Sequence, residues 1–258
     1  MEHPAQTGAG VEREITLVIC SDSPAALADR IADLRAFSMY SLDSGDICAI
    51  RDVYFDTEDR LLGQGRWSLR TREIGENRFI TAKGPSTRLD GGGVERSEWE
   101  LPWSHEALKA VLEAIPCLGP RRALDDHPAI SDPAAALAAI GLSPVQRRTT
   151  KRRARNIRTD QSSPIVAELV VDEVTYELSC GPILHYEVEI EAKQGGDASD
   201  ITFIAAALRE MYAEDLMPWK LGKLATGIVV ERLLAQEGPE GFVRDGRLTP
   251  LAYERIST

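Results

Sequence analysis

Glutamate recurs at every second position in three separate stretches, Val11-Glu12-Arg13-Glu14-Ile15, Ser97-Glu98-Trp99-Glu100-Leu101 and Glu187-Val188-Glu189-Ile190-Glu191, with largely apolar residues between. Side chains alternate across a β-strand, so each stretch predicts a strand with one carboxylate face and one greasier face. Basic residues obey the same rule in Leu69-Arg70-Thr71-Arg72, Thr81-Ala82-Lys83 and Thr149-Thr150-Lys151-Arg152-Arg153. A lone E-x-E is best read as one half-solvated strand. Here acidic and basic residues segregate onto different strands, and like charges on one face repel unless something neutralises them. A hard divalent metal would neutralise the carboxylates and a multiply charged anion the cations, which together point to a metal-bound polyphosphate.

Length and charge bound this reading. A chain of 258 residues makes one large domain or two small ones. Its net charge of −11 excludes a general nucleic-acid coat, so any anion must be met by a local basic site. Cys20, Cys48, Cys117 and Cys180 are widely spaced, form no C-x-x-C pair and accompany no secretory leader, which predicts reduced thiols and a cytoplasmic location. No run approaches ~18 apolar residues, so neither a membrane span nor a membrane partner is expected. His3, His105, His127 and His185 lack paired ligand spacing and read as surface or packing residues.

Along the chain, Val11 to Cys20 reads as a strand and Ser23-Pro24 as the start of a helix reaching about Phe37. Strand patterns over 50–55, 65–73, 78–83 and 94–101, broken by Gly-rich or polar turns, suggest an antiparallel meander. Ser104 and Asp132-Pro133 begin two helices, strands follow over 145–158, 165–174 and 184–193, and two more helices cover 200–213 and 221–235. This divides the chain into a flexible tail (1–10), one domain (11–235) and an extension (236–258) whose fold the pattern does not settle. If the sheet closes into a barrel with its charged faces inward, Val11, Ile15, Leu17, Val188 and Ile190 point outward, where helices can cover them.

Glu12-x-Glu14, Tyr54-Phe55-Asp56-Thr57, Leu69-Arg70-x-Arg72, Thr81-x-Lys83-Gly84-Pro85, Arg96-x-Glu98-x-Glu100 and Glu187-x-Glu189-x-Glu191 stand in an order that resembles CYTH domains, the triphosphate tunnel metalloenzymes. The resemblance spans about Val11 to Leu234. It implies an α+β fold, an eight-stranded closed antiparallel barrel covered by helices, with basic side chains gripping triphosphate and glutamates binding Mg2+ or Mn2+. By this resemblance Arg70, Arg72, Lys83, Arg96, Lys151 and Arg153 bind substrate, although the crowded basic run around Lys151 allows a register slip of one. Lys220 and Lys223, in Trp219-Lys220-Leu221-Gly222-Lys223, match a basic segment at the start of the last helix.

Glu12, Glu14, Glu189 and Glu191 are the implied catalytic metal ligands. Glu187, Asp172, Glu98 and Glu100 are further metal-site candidates, and Glu168 lies on the same strand face as Asp172. The family's first motif commonly reads E-x-E-x-K, whereas this chain has Thr16 in place of the lysine. The implied activity is metal-dependent hydrolysis of inorganic triphosphate or another small triphosphate. The alternatives are a thiamine triphosphatase, a class IV adenylyl cyclase-like enzyme, and a polyphosphate-binding module without turnover. The oligomeric state, a homodimer included, is left open.

Overall fold

The computed structural model describes residues 9–119, 132–160 and 162–257. In chain order it contains β1 (Ala9–Ile19), α1 (Pro24–Ala32), β2 (Ala36–Phe37), β3 (Tyr40–Leu42), β4 (Asp46–Asp56), α2 (Leu61–Gln64), β5 (Ser68–Ile74), β6 (Asn77–Lys83), β7 (Thr87–Arg88) and β8 (Val94–Pro102). Then follow α3 (His105–Glu113), α4 (Pro133–Ala139), β9 (Ser143–Arg158), β10 (Ala167–Leu178), β11 (Gly181–Ala192), α5 (Ala198–Tyr212), β12 (Leu216–Trp219), α6 (Lys223–Glu237), β13 (Val243–Arg244), β14 (Arg247–Leu248) and α7 (Pro250–Ser257). Eight strands hydrogen-bond in the order β1-β8-β6-β5-β4-β9-β10-β11, and β1 pairs back onto β11, which closes an antiparallel barrel. Closure removes the unpaired edges that an open sheet would expose.

The chain forms two compact units: Met1–Glu12 with Ile50–Thr87 and Arg96–Arg147, and Arg13–Ala49 with Arg88–Glu95 and Arg148–Thr258. In the first, the apolar face of its strands (Phe55, Leu69, Ile80, Ala82) packs against Leu108, Val111 and Leu112 of α3. Ser104 caps that helix by accepting a 3.0 Å hydrogen bond from the Ala107 N–H. In the second, Ile15, Leu17, Val171, Val188 and Ile190 pack against Leu27 and Ile31 of α1 and Ile201, Ile204 and Leu208 of α5. Of the residues expected to lie under helices, Val11 is instead 61% exposed.

The alternation thus locates the strands, and the helix positions follow with two adjustments. α1 stops at Ala32 rather than near Phe37, because Ala36 and Phe37 pair with Ser41 and Tyr40 in a β2–β3 hairpin that buries Phe37. Met211, which continues the apolar spacing of α5, is exposed. The stretch without an assigned fold after residue 235 forms the end of α6, β13, β14 and α7. β14 pairs with β11, while Phe242, Leu248, Ala252 and Tyr253 join a third apolar cluster with Val18, Trp219 and Val230. No helix among the described residues is long and apolar enough to cross a membrane.

Candidate active site

The first unit carries a charged face on β4, β5, β6 and β8. Asp52 lies opposite Arg72, Tyr54 opposite Arg70, Arg70 opposite Thr81, Thr81 opposite Glu100 and Lys83 opposite Glu98, so antiparallel pairing sets these side chains on one face. Arg72 forks Asp52 through Nε (2.9 Å) and Nη2 (3.2 Å) and reaches Glu100 through Nη1 (3.4 Å). Arg70 donates to the Tyr54 hydroxyl (3.1 Å) and stands 3.7 Å from Asp52 and 3.5 Å from Glu100. Lys83 meets Glu12 at 2.8 Å and Glu98 at 3.2 Å, and the Arg96 Nε meets Glu12 at 2.8 Å. Burial pushes the Glu12 carboxyl up, but Lys83 and Arg96 outweigh it and hold the group well below the usual carboxylate range. Glu100 is likewise raised by burial and lowered further by Arg72 and Arg70. Every cation of this face is therefore held in place by a carboxylate, which fixes guanidinium and ammonium groups before any ligand arrives.

The second unit gathers acids. Carboxylate oxygens of Asp172, Glu187 and Glu189 all lie within 4.8 Å of one another. Lys223, the first residue of α6, reaches into them: its Nζ is 3.0 Å from Asp172 and 2.6 Å from Glu189, and it also contacts Glu187. Arg152 donates to Asp172 through Nε (2.9 Å) and Nη2 (2.6 Å) and to Glu189 through Nη2 (3.0 Å). Burial favours an uncharged Lys223 ammonium, yet Glu187, Glu189 and Asp172 reverse this and push its pKa well up. Burial raises the Glu187 carboxyl, whereas Lys223 and a hydrogen bond from His185 bring it down to about 2. The Tyr176 hydroxyl donates to the Lys223 carbonyl at 3.0 Å, anchoring the start of α6 beneath the acids.

Comparison with protein families matches the CYTH domain over residues 40–215. The chain belongs to the CYTH domain family. Among solved structures, a Hippeastrum protein described as a candidate adenylyl cyclase with a dominant triphosphatase activity superposes with a TM-score of 0.55 at 16% identity, covering 84% of this chain and 95% of that one. A candidate adenylate cyclase from Bacillus halodurans superposes with a TM-score of 0.51 at 19% identity, covering 84% and 97%. Comparison with curated proteins gives no match.

Within this CYTH chain the sequence-expected residues divide between the two faces. Arg70, Arg72, Lys83 and Arg96 come together as expected, and the metal candidates Glu12, Glu98 and Glu100 lie among them as their ion-pair partners. Asp172, Glu187 and Glu189 form the acidic cluster. Glu14 is buried opposite Glu191 on β11, while Glu191 and Glu168 each bind Lys193 at 3.1 Å. Thr16 lies opposite Glu189.

Lys151, Arg153 and Lys220, expected as phosphate ligands, are not brought to either charged face. Strand β9 sets Arg152 opposite Asp172, so Lys151 and Arg153 lie on the other face, beneath α1. Arg153 pairs with Asp29 at 2.8 Å and Lys151 is exposed. Ile157 decides the parity: it is fully buried in the apolar core, and every second residue before it shares that side. Lys220 is exposed just before α6, and Lys223 alone of that pair enters the cluster. Sequence reasoning did not single out Arg152, Asp52 and His185, which contact residues of the two faces. The parity of Ile157 for Arg152, and of Asp52-x-Tyr54 for Asp52, carried the missing signal. His3 and His127 lie outside the described residues.

The donor chemistry of the acidic cluster fits a hard divalent ion. Three close carboxylates offer only oxygen ligands, as such an ion prefers, and Lys223 and Arg152 show that the cluster accommodates positive charge.

Proposed function

We propose that the chain is a divalent-metal-dependent hydrolase that removes the terminal phosphate from inorganic triphosphate or another small triphosphate. The observation that carries the reading is that the chain holds two unlike charge sets, a face of carboxylate-held cations in one unit and the Asp172, Glu187, Glu189 cluster in the other. Membership of the CYTH family and the triphosphatase activity named for the Hippeastrum protein support it. Asp172, Glu187 and Glu189 would hold Mg2+ or Mn2+, and Glu14 would assist from β1. When bound, such an ion supplies neutralisation of phosphate oxygens and activation of water. Arg70, Arg72, Lys83 and Arg96 bind the phosphate chain, the arginines by forking two oxygens and the lysine as a point charge. Asp52, Glu12, Glu98 and Glu100 orient those cations, so charge developing on the phosphoryl oxygens meets groups that need little reorganisation. Arg152 and Lys223 offset the charge of the acidic cluster itself.

Thr16 favours a second reading, a polyphosphate-binding module without turnover, because the side chain facing Glu189 from β1 carries no charge. A panel of triphosphate, pyrophosphate, thiamine triphosphate and ATP, each with Mg2+ and with Mn2+, separates the readings. Phosphate release marks the hydrolase, cyclic AMP with pyrophosphate a cyclase, and calorimetric binding without product the module. On the hydrolase reading Glu14→Gln and Glu189→Gln lower metal-dependent turnover and Arg72→Ala chiefly weakens triphosphate binding. Unchanged turnover in all three would sink the site assignment.

A further inference from the structure

A buried hydrogen-bond chain leads from the C-terminal helix into the acidic cluster. The Tyr253 hydroxyl on α7 lies 2.9 Å from the His185 Nδ1, and the His185 Nε2 lies 2.9 Å from the Glu187 Oε2. All three residues are sealed from solvent, with relative exposures of 2% for Tyr253 and 0% for His185 and Glu187. The stack around them is tight: His185 packs between Tyr176 and Tyr253 with ring centroids 6.0 and 5.6 Å away, and Trp219 meets Tyr253 edge-on at 5.7 Å.

The direction of the bonds follows from the chemistry of each partner. A carboxylate only accepts, so Nε2–H donates to Glu187. In the neutral ring Nδ1 is then an acceptor, and the phenol O–H donates to it. Glu187 is thereby held at both ends, its Oε2 by His185 and its Oε1 by Lys223. Neither Tyr253 nor α7 lies within the matched domain, residues 40–215, so this contact is contributed by a segment outside it.

We infer that Tyr253 and His185 are positioning residues which fix the carboxylate of Glu187 for metal binding, so that docking of the C-terminal helix sets the metal affinity of the cluster. The inference rests on the reading of Asp172, Glu187 and Glu189 as the metal site. Partners that orient a ligating group typically contribute about 10–100-fold to metal affinity, and a buried carboxylate released from one of its two anchors turns freely enough to lose its place.

The test is Mn2+ calorimetry on the full chain without triphosphate, at a temperature below each variant's melting transition. Tyr253→Phe keeps the ring and removes only the hydroxyl; it is expected to weaken the Mn2+ Kd by about 10–100-fold. Leu251→Ala, at an exposed position of the same helix, is expected to keep the wild-type Kd. His185→Gln, whose amide replaces the Nε2 donor, should bind Mn2+ more tightly than His185→Leu, and this second pair decides the matter if Tyr253→Phe fails to fold. Wild-type affinity in Tyr253→Phe, an equal loss in Leu251→Ala, or equal affinities in the two His185 variants would overturn the positioning role while leaving the metal site in place. Absence of Mn2+ binding by the wild-type chain would overturn both.

Discussion

Replacing Lys223 by methionine removes the cation at the centre of the acidic cluster while keeping most of its length. The side chain is 8% exposed, and its ammonium lies 3.0 Å from Asp172 and 2.6 Å from Glu189 besides touching Glu187. Asp172 and Glu187 are themselves sealed, with side-chain exposures of 0% and 1%, so water cannot replace the lost charge. Arg152 remains on Asp172 and Glu189 but does not contact Glu187 among the ion pairs of the described residues. Removing one partner of a buried ion pair costs about 3–5 kcal/mol, because the other charge stays buried. At about 2–4 °C per kcal/mol for a domain of this size, the melting temperature should fall by roughly 6–20 °C.

The assay is thermal unfolding with chelator and again with saturating Mn2+. A divalent ion replaces the missing positive charge, so Mn2+ should raise the melting temperature of Lys223→Met more than that of the wild type. Binding at a hundredfold excess over Kd stabilises by about 2.7 kcal/mol. A drop below about 2 °C in chelator would refute the account of Lys223 as the cluster's internal counterion. An equal Mn2+ increment in both proteins would refute the account of the same three carboxylates as the metal site.

The parity of β9 gives a second prediction: Arg152→Ala should lower the melting temperature by roughly 6–20 °C, because it takes one of its cations from the fully buried Asp172 carboxylate. Lys151→Ala and Arg153→Ala should lower it by less than about 4 °C, since Arg153 is engaged with the largely exposed Asp29; thermal unfolding of the three variants ranks them, and a larger loss for Arg153 than for Arg152 contradicts the register. Acid stability gives a third. Glu187 is held near 2 against an ordinary 4.5, so its folded pKa is depressed; the stabilisation is full above about 4.5 and is lost as pH falls through about 2. Glu12 and Asp172 are depressed in the same sense by their cations. Urea midpoints measured down this range should decline steadily, and in Lys223→Met the decline should be shallower, because losing the ammonium narrows the gap between the folded and unfolded pKa of Glu187; a flat profile in the wild type counts against these charged pairs.

Much of the site was legible because strand alternation is a local property. Glu187 and Glu189 could be set on one face of a strand from spacing alone, and so could Arg70 and Arg72, whereas Asp172 and Lys83 joined them only through the resemblance to the family. Where alternation is degenerate it fails. The basic run from Arg147 to Arg155 reads equally well in either parity, and the choice fell to Ile157 packing into the apolar core. Glu191 shows a different limit: it shares the face of Glu189, yet it pairs with Lys193, as Glu168 does. Sharing a face does not establish sharing a site.

The sequence by itself determined which residues alternate into charged and apolar faces, and through the resemblance of its ordered motifs to CYTH domains it pointed to a closed barrel of acidic and basic strands. Tertiary structure decided how those charges are partnered. Arg72 meets Asp52 across twenty positions, Lys83 meets Glu12 across seventy-one, Lys223 enters the acidic cluster from the start of α6, and Tyr253 of α7 meets the His185 that holds Glu187. The physical reason is that a strand's period fixes only the side on which a side chain emerges. Which opposite charge it meets there depends on the hydrogen-bond register between strands and on the apolar packing that docks each helix.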